Sequence, residues 1–347
     1  MSRLSRGPRR ALGMFAGALL ALTGSQVHAQ PTEYPVQITN CQRTISFDAS
    51  PRRVVSIGQG TTEIMLSLGL ADRIVGTGIW LAPLPEALAG EGAALPRLSD
   101  TSPSFEAVLN TRPDFVAAQW ISDIAPEQAR VGTFRQFDDF GVRTYVSPAE
   151  CAKSDFSAGS GDGTRTQPWT MGLLNREIGE LATIFDVRAK GQALIADNAA
   201  RIDAASGQAD RLQAQDITVL YWFSSPQISG EAYVAGRFGA PAWISDVVGV
   251  RNVITSDEEW PLVGWETITG LDPDVIVLGT MERRSLPGDD VAAKRNFLLT
   301  DPVASQLSAV RNGYLIEMPA HFMNPTLRAV DGVEVLADGL REHGLTR

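Results

Sequence analysis

The sequence predicts an α/β protein of two parallel-sheet α/β lobes bridged by one long helix. Residues 53–76 read as strand, helix and strand joined by short loops, the pattern of a parallel α/β unit. The same alternation starts over near residue 217. Between the halves, residues 172–213 hold no proline and repeat apolar side chains at helical spacing. A chain of 347 residues also exceeds what one hydrophobic core usually serves. The expected division is a signal peptide over 1–29, an N-terminal lobe over 30–185, an inter-lobe helix over 186–213 and a C-terminal lobe over 214–347.

The first ten residues are basic, and residues 11–24 form an apolar run shorter than the ~20 residues that span a bilayer. Val27, His28 and Ala29 suit a signal peptidase, so cleavage is expected before Gln30, leaving a soluble exported protein. No cysteine lies close enough for a lipid anchor, and the residues flanking Arg9 and Arg10 do not fit a twin-arginine signal. Net charge is −10 over the full chain. Residues 1–29 carry four arginines and no acid, so the trimmed chain carries −14. Such acidity excludes nucleic-acid binding by bulk electrostatics and disfavours anionic membrane surfaces.

Next come the elements of the first lobe. Arg53–Gly58 is a β-branched run ending in glycine, a buried strand. Thr61 and Thr62 offer an N-cap, and Glu63–Leu70 carries helical spacing that Gly69 stops. Asp72–Gly76, Phe115–Trp120 and Val142–Val146 are further strands, and Ser154–Thr166 reads as an exposed Gly/Ser/Asp-rich loop. In the second lobe Ile217–Phe223, Val275–Gly279 and Tyr314–Met318 are strands. A helix over Pro241–Val248 is closed by Gly249, and residues 326–342 form a long amphipathic helix.

Export gives the two cysteines a meaning. Cys41 and Cys151 are expected to pair in an oxidising compartment, the alternative being two buried free thiols. With His28 removed, only His321 and His343 remain, and no Cys/His cluster has zinc spacing.

One internal match is sharper than the general layout. Phe105-Glu106 and Trp265-Glu266 each precede, by six further residues, a Pro-Asp pair (Pro113-Asp114 and Pro273-Asp274) and a strand. Each segment reads as a short helix stopped by proline, with the glutamate in its first turn. The two glutamates either stabilise helix starts or form a matched pair of surface anchors.

In order and spacing, the chain from about Arg53 to Leu340 resembles the periplasmic substrate-binding proteins of ABC importers for ferric siderophores, haem and cobalamin, the helical-backbone metal receptor type. The marks are Arg53–Gly58 with Thr62-Glu63-Ile64, Leu68–Gly76, the two Glu-x6-Pro-Asp segments, and Asn324–Leu327 opening the last helix. The resemblance implies a ligand cleft between the lobes, a periplasmic location, and partnership with a permease and, through it, an ATPase. It also implies that Glu106 and Glu266 dock against permease arginines. The stretch from Cys151 to Trp169 is longer than usual in this family, and Cys41 lies in an extra N-terminal segment.

Ligands of open α/β lobes sit at the carboxyl ends of parallel strands. That rule selects Gln59, Trp80 and Trp120 in the first lobe, with Tyr221, Trp222, Arg283, Arg284 and His321 in the second, and Tyr233 and Trp260 in nearby loops. Aromatic faces suit a bulky, apolar-rimmed ligand, and Arg237, Arg283 and Arg284 suit an anionic one. Each tryptophan has a second reading as filler of its own lobe's core. Tyr145, Tyr221, Tyr233 and His321 are the donors available to a haem iron. A ferric siderophore brings its iron already coordinated, needs no protein metal ligand and no cofactor, and is ranked first. Cobalamin or another large anionic molecule comes next, then haem. The expected molecule is a monomer that binds a small iron chelate or corrinoid.

The rival class is an exported hydrolase-like enzyme. No Gly-x-Ser-x-Gly elbow is present, and Ser160 has no strand before it. The Gly58-x-Gly60 turn lacks the third glycine and the acid of a dinucleotide loop. A repeat-built adhesion protein is not supported either.

Overall fold

Two sheets, one in each half of the chain, carry the architecture. The computed structural model describes Met1 and residues 30–125, 129–154, 156, 161–207 and 216–345. The expected signal peptide and the end of the expected inter-lobe helix, 208–213, lie outside the described residues.

Strands β1 (Val36–Asn40) and β2 (Arg43–Phe47) form an antiparallel hairpin. The first sheet holds β3 (Val54–Ile57), β4 (Ile74–Gly78), β5 (Arg97–Ser99), β6 (Phe115–Ala118) and β7 (Arg143–Val146). All are parallel, in the order β5-β4-β3-β6-β7. Every residue of β3 and β6 is buried, as continuous apolar runs in a two-sided parallel sheet require. Helices α1 (Gln59–Ser67), α2 (Glu86–Ala93), α3 (Phe105–Asn110), α4 (Phe134–Asp139) and α5 (Pro148–Cys151) complete this half.

Helix α1 starts at Gln59, ahead of the expected Thr61–Thr62 cap. Gly58 turns the chain straight out of β3 at φ 110°, and the Thr62 hydroxyl donates back to the Gly58 carbonyl at 2.9 Å. The next glycine serves the lobe contact. A Cβ on Gly60 would stand 2.5 Å from Thr326 Cγ2 of the second lobe, so the lobes meet over a residue that lacks one.

Short strands β8 (Lys153–Ser154) and β9 (Thr164–Arg165) pair, and α6 (Met171–Ile184) and α7 (Arg188–Ala205) follow. The helical spacing read over 172–213 resolves, among the described residues, into two helices. The chain breaks at 185–187, where Asp186 takes φ 57° and its carboxylate accepts the Thr32 N–H at 2.6 Å. Docking of the N-terminal segment therefore fixes the break, and α7 carries the chain between the lobes. Of the loop expected to be exposed over Ser154–Thr166, residues 155 and 157–160 lie outside the described residues, and the rest is corrected in part, since Gly163 and Arg165 are buried against the second lobe.

The second sheet runs β13-β11-β10-β14-β15, with β12 beside β10. Its strands are β10 (Thr218–Ser224), β11 (Glu231–Val234), β12 (Arg251–Asn252), β13 (Leu262–Gly264), β14 (Val275–Thr280) and β15 (Leu315–Pro319). Strands β10, β12, β14 and β15 are parallel, but β11 is antiparallel to both its neighbours. Only residues 225–230 separate β10 from β11, too few for a parallel crossover. Helices α8 (Ala240–Val248), α9 (Trp265–Leu271), α10 (Val291–Thr300), α11 (Ser308–Asn312) and α12 (Arg328–Glu342) cover the sheet. Gly249 closes α8 at φ 87°, as its sequence suggests.

The matched Pro-Asp pairs acquire a structural reason. Asp114 accepts the N–H groups of Arg52 and Arg53 at 2.8 and 2.9 Å, just before β3. Asp274 accepts the Thr218 N–H and hydroxyl at 2.9 and 2.7 Å, at the start of β10. In each lobe one carboxylate pins the central strand. Glu106 and Glu266 sit in the first turns of α3 and α9, and both are exposed.

Cys41 and Cys151 form a disulfide that fastens the β1–β2 hairpin to α5. Beside it the Asn40 side chain continues the edge of β7, donating to the Val146 carbonyl at 2.7 Å and accepting its N–H at 2.9 Å. The hydrophobic core of the first lobe includes Ala240 and Ala329 of the second, so the lobes share packing at their junction.

Candidate functional site: a cleft between the lobes

A cavity of about 640 Å³ opens between the carboxyl ends of the two sheets. The first lobe supplies Leu81–Pro83, after β4. The second supplies Phe223 and Ser224 at the end of β10, Tyr233, Trp260, the loop 280–286, and His321 and Asn324 beyond β15. An adjoining recess of about 350 Å³ shares Phe223, Trp260 and Arg283, and adds Ile79, Trp120 and Arg130.

Each wall is held from behind. Gln59 accepts the N–H groups of Leu81 and Ala82 at 2.8 and 3.0 Å while its amide donates to Glu63 at 2.9 Å. Asp289 accepts the N–H groups of Ser285 and Leu286 at 2.6 and 2.8 Å and the Ser224 hydroxyl at 2.5 Å. Lys294, fully buried, donates to the carbonyls of Phe223, Gly279 and Trp222 at 2.6, 2.7 and 3.2 Å. It thereby clamps the ends of β10 and β14 where they frame the cavity. Burial lowers its pKa to about 7, with Asp289 opposing. Trp260 faces Phe223 with ring centroids 4.4 Å apart, giving the cleft an aromatic wall.

A small pocket that shares Leu81, His321 and Asn324 with the cavity, called the floor below, holds an ion pair between the lobes. Arg328 of α12 meets both Glu63 oxygens of α1 at 2.7 and 3.0 Å, and also Asp331 at 2.9 Å. Arg201 of α7 binds Asp331 and Glu334 at 2.5 and 2.7 Å, extending the network into the inter-lobe helix. Burial pushes the Glu63 carboxyl up, and Arg328 and Gln59 pull it back. At the rim, the exposed Arg283 donates to the Asp100 carbonyl across the lobes at 2.7 Å. His321 has its pKa lowered to about 4, mainly by burial and then by Arg328, so the cavity holds a neutral imidazole at pH 7. Arg130, Arg283 and Arg284 stand among Asp162, Glu282, Asp289 and Glu317, so the lining is mixed in charge. Among the described residues no group of three or more His, Cys, Asp or Glu side chains could hold a metal ion.

The cavity brings together Tyr233, Trp260, Arg283, Arg284 and His321 of the residues selected from sequence, and Trp120 lines the recess. Gln59 stands behind the first wall and lines a small polar pocket at the floor. Four others stand elsewhere, a correction to the sequence reading. Tyr221 and Trp222 are fully buried in second-lobe core, Tyr221 bonded to Ser245 and Trp222 to Ser225. Trp80 is buried under the Arg97 guanidinium, 4.2 Å from its ring. Arg237 pairs with Asp257 at 2.5 Å and lines a separate pocket. Sequence reasoning missed Leu81–Pro83, Asp162, Asn324 and the Glu63–Arg328 floor. Of these, Glu63 and Asn324 carried marks, in Thr62-Glu63-Ile64 and in the segment opening the last helix.

Comparison with known proteins agrees with this geometry. A family model described as periplasmic binding protein matches residues 54–321. A cobalamin-binding protein of Halobacterium salinarum is 26% identical over 276 residues, covering 78% of this chain and 66% of that protein. A periplasmic binding protein of Veillonella parvula superposes with a TM-score of 0.73 at 22% identity, covering 90% of this chain and 98% of its own. An ABC-type Fe3+-hydroxamate transport system from Saccharomonospora viridis gives 0.69 at 23% identity, covering 89% and 99%. A periplasmic heme-binding protein from Pseudomonas aeruginosa gives 0.63 at 22%, covering 86% and 94%. The structural likenesses speak for the fold, and the family model spans the strands and loops that build the cleft. By that family match, this chain belongs to the periplasmic binding protein family.

Proposed function

We propose that the chain is the solute-binding component of an ABC import system, exported with loss of its first 29 residues, which captures a ferric siderophore and hands it to a permease. The observation that carries this reading is the inter-lobe cavity of about 640 Å³, walled by Trp260, Phe223 and Tyr233 and edged by charged side chains of both signs. A caged iron chelate needs apolar contact and no protein metal ligand, and the aromatic wall supports that reading. Family membership and the Fe3+-hydroxamate neighbour support the same assignment. Glu106 and Glu266, exposed at matching places on the two lobes, are the proposed permease anchors. The protein acts as a monomer and as a carrier, without catalysis.

A second reading, cobalamin, is favoured by the Halobacterium relative and by the mixed charge of the lining, which suits an amide-rich, nearly neutral ligand. Titrating the mature protein with a ferric trihydroxamate, cyanocobalamin and haemin, read by tryptophan fluorescence, separates these. Tightest binding to the trihydroxamate supports the first reading, and tightest binding to cyanocobalamin the second. Failure to bind any of the three overturns both.

A further inference from the structure

Between α5 and α6 the described residues, 151–154, 156 and 161–169, reach from one lobe to the other and return. The chain leaves the first lobe at Cys151, bonded to Cys41, and pairs β8 with β9. The Arg165 N–H then donates to the Asp257 carbonyl of the second lobe at 3.0 Å, and the Glu259 N–H donates to the Gly163 carbonyl at 3.0 Å. Thr164 stands opposite Glu258 in an antiparallel bridge. Farther on, the Trp169 N–H donates to the Phe238 carbonyl at 2.8 Å, and the Trp169 ring meets Trp243 edge-on at 5.1 Å. The chain then enters α6 and is back on the first lobe.

Four buried charges fasten this crossing. Glu150 belongs to the first lobe, Lys153 and Arg165 to the crossing segment, and Glu259 to the second lobe. Their side chains are at most 3% exposed. Lys153 lies 2.7 Å from Glu150 and 3.9 Å from Glu259. Arg165 binds the Glu259 carboxylate and donates to the Ala149 carbonyl at 2.8 Å. Burial pushes the Glu259 carboxyl up, but Lys153 and Arg165 more than offset it and hold it below the usual range. Parting the lobes here would leave Glu150, Lys153 and Arg165 with a net positive charge on one side and Glu259 with a negative one on the other, each short of a buried partner. Glu259 immediately precedes Trp260 of the aromatic wall, and Asp162 of the crossing segment lines the cavity.

We propose that the described parts of this segment, residues 151–154 and 161–169, form a strap that holds the lobes at a fixed separation before ligand arrives, and so limits the size of ligand the cleft admits. Arg165 is its positioning residue, acting through Glu259 on Trp260. The size limit rests on the cleft being the binding site; the tie between lobes does not.

The test has two arms, both on the full mature chain. In the first, hydrogen exchange is followed without ligand at the Arg165 and Glu259 amides, which donate across the lobe boundary. Wild type is expected to protect both at least 100-fold over exposed amides. The charge-balanced double variant Arg165→Met, Glu259→Gln is expected to lose at least tenfold of that protection while amides of β3 and β14 keep theirs, and Arg165→Lys is expected to retain most of it. In the second, affinity is measured for ferric trihydroxamates bearing successively larger substituents. Wild type is expected to weaken at least tenfold along the series, and the double variant less than threefold. Unprotected cross-lobe amides in wild type overturn the strap, and that measurement needs no variant to fold. A double variant that keeps both the protection and the size limit overturns it as well. If wild type binds no member of the series, the ligand reading fails and the exchange arm alone decides the strap.

Discussion

Glu177 lies in α6 with its carboxylate buried, accepting the hydroxyls of Ser147 at 2.5 Å and Thr61 at 3.1 Å. Burial raises its pKa to about 7, and those two hydrogen bonds pull the other way. The folded state therefore binds this proton more tightly than the unfolded chain does. Stability contributed by the protonated form is lost as pH rises from the unfolded value near 4.5 through 7. Glu177→Gln keeps a polar group for both hydroxyls and removes the titration. It is expected to be about 2–3 kcal/mol more stable than the parent at pH 8 and nearly equal at pH 5, by urea unfolding at the two values. Comparing variant with parent isolates this group from His321, whose lowered pKa acts in the opposite direction. At this scale the sequence is only half legible. Tyr221, Trp222 and Phe223 are consecutive near one strand end, yet only Phe223 reaches the cavity. Alternate residues face opposite sides of a sheet whose two faces are both covered, so composition cannot tell wall from core. Lys294 gave no mark at all, because the carbonyls it binds at Trp222 and Phe223 are more than 70 residues away.

Among the elements, α3 and α9 are the most informative pair. Both begin with an aromatic residue and an exposed glutamate, and both lead to an aspartate that pins the lobe's central strand. The double change Glu106→Ala, Glu266→Ala is expected to leave ligand affinity within twofold and to abolish uptake in cells. Its cost in stability is on the order of 0.3–1 kcal/mol per helix start. Retained uptake would reduce the glutamates to helix-start acids, and lost affinity would move them into the cleft. The hairpin β1–β2 offers a separate test. Its disulfide joins residues 110 apart in sequence, so replacing both cysteines by serine is expected to cost about 3–5 kcal/mol in urea unfolding. Strands and most helices were legible because apolar periodicity is local. The break between α6 and α7 was not, because Asp186 is held there by Thr32, from the far end of the first half.

On the scale of the whole molecule, the two-lobe plan follows from the repeat in the sequence, and the ties between the lobes do not. Helix α7 joins them at the back, the Glu63–Arg328 pair at the floor and residues 151–154 and 161–169 on one flank. Each of the last two links residues that are distant in sequence, which no local pattern records. The rim differs from these ties. There, among the described residues, the tip of the exposed Arg283 side chain meets the Asp100 carbonyl. An exposed side chain changes rotamer in picoseconds to nanoseconds, whereas domains close in microseconds to milliseconds. A ligand arriving at this rim waits on a rotamer and not on a domain, so capture is expected to be a single kinetic step. In stopped-flow mixing, the observed rate should rise linearly with ligand concentration, with a slope of roughly 10⁵–10⁷ M⁻¹s⁻¹ and no plateau. Arg283→Ala should leave that slope within about threefold. A plateau in the parent protein would expose a slow closing step that these ties do not permit.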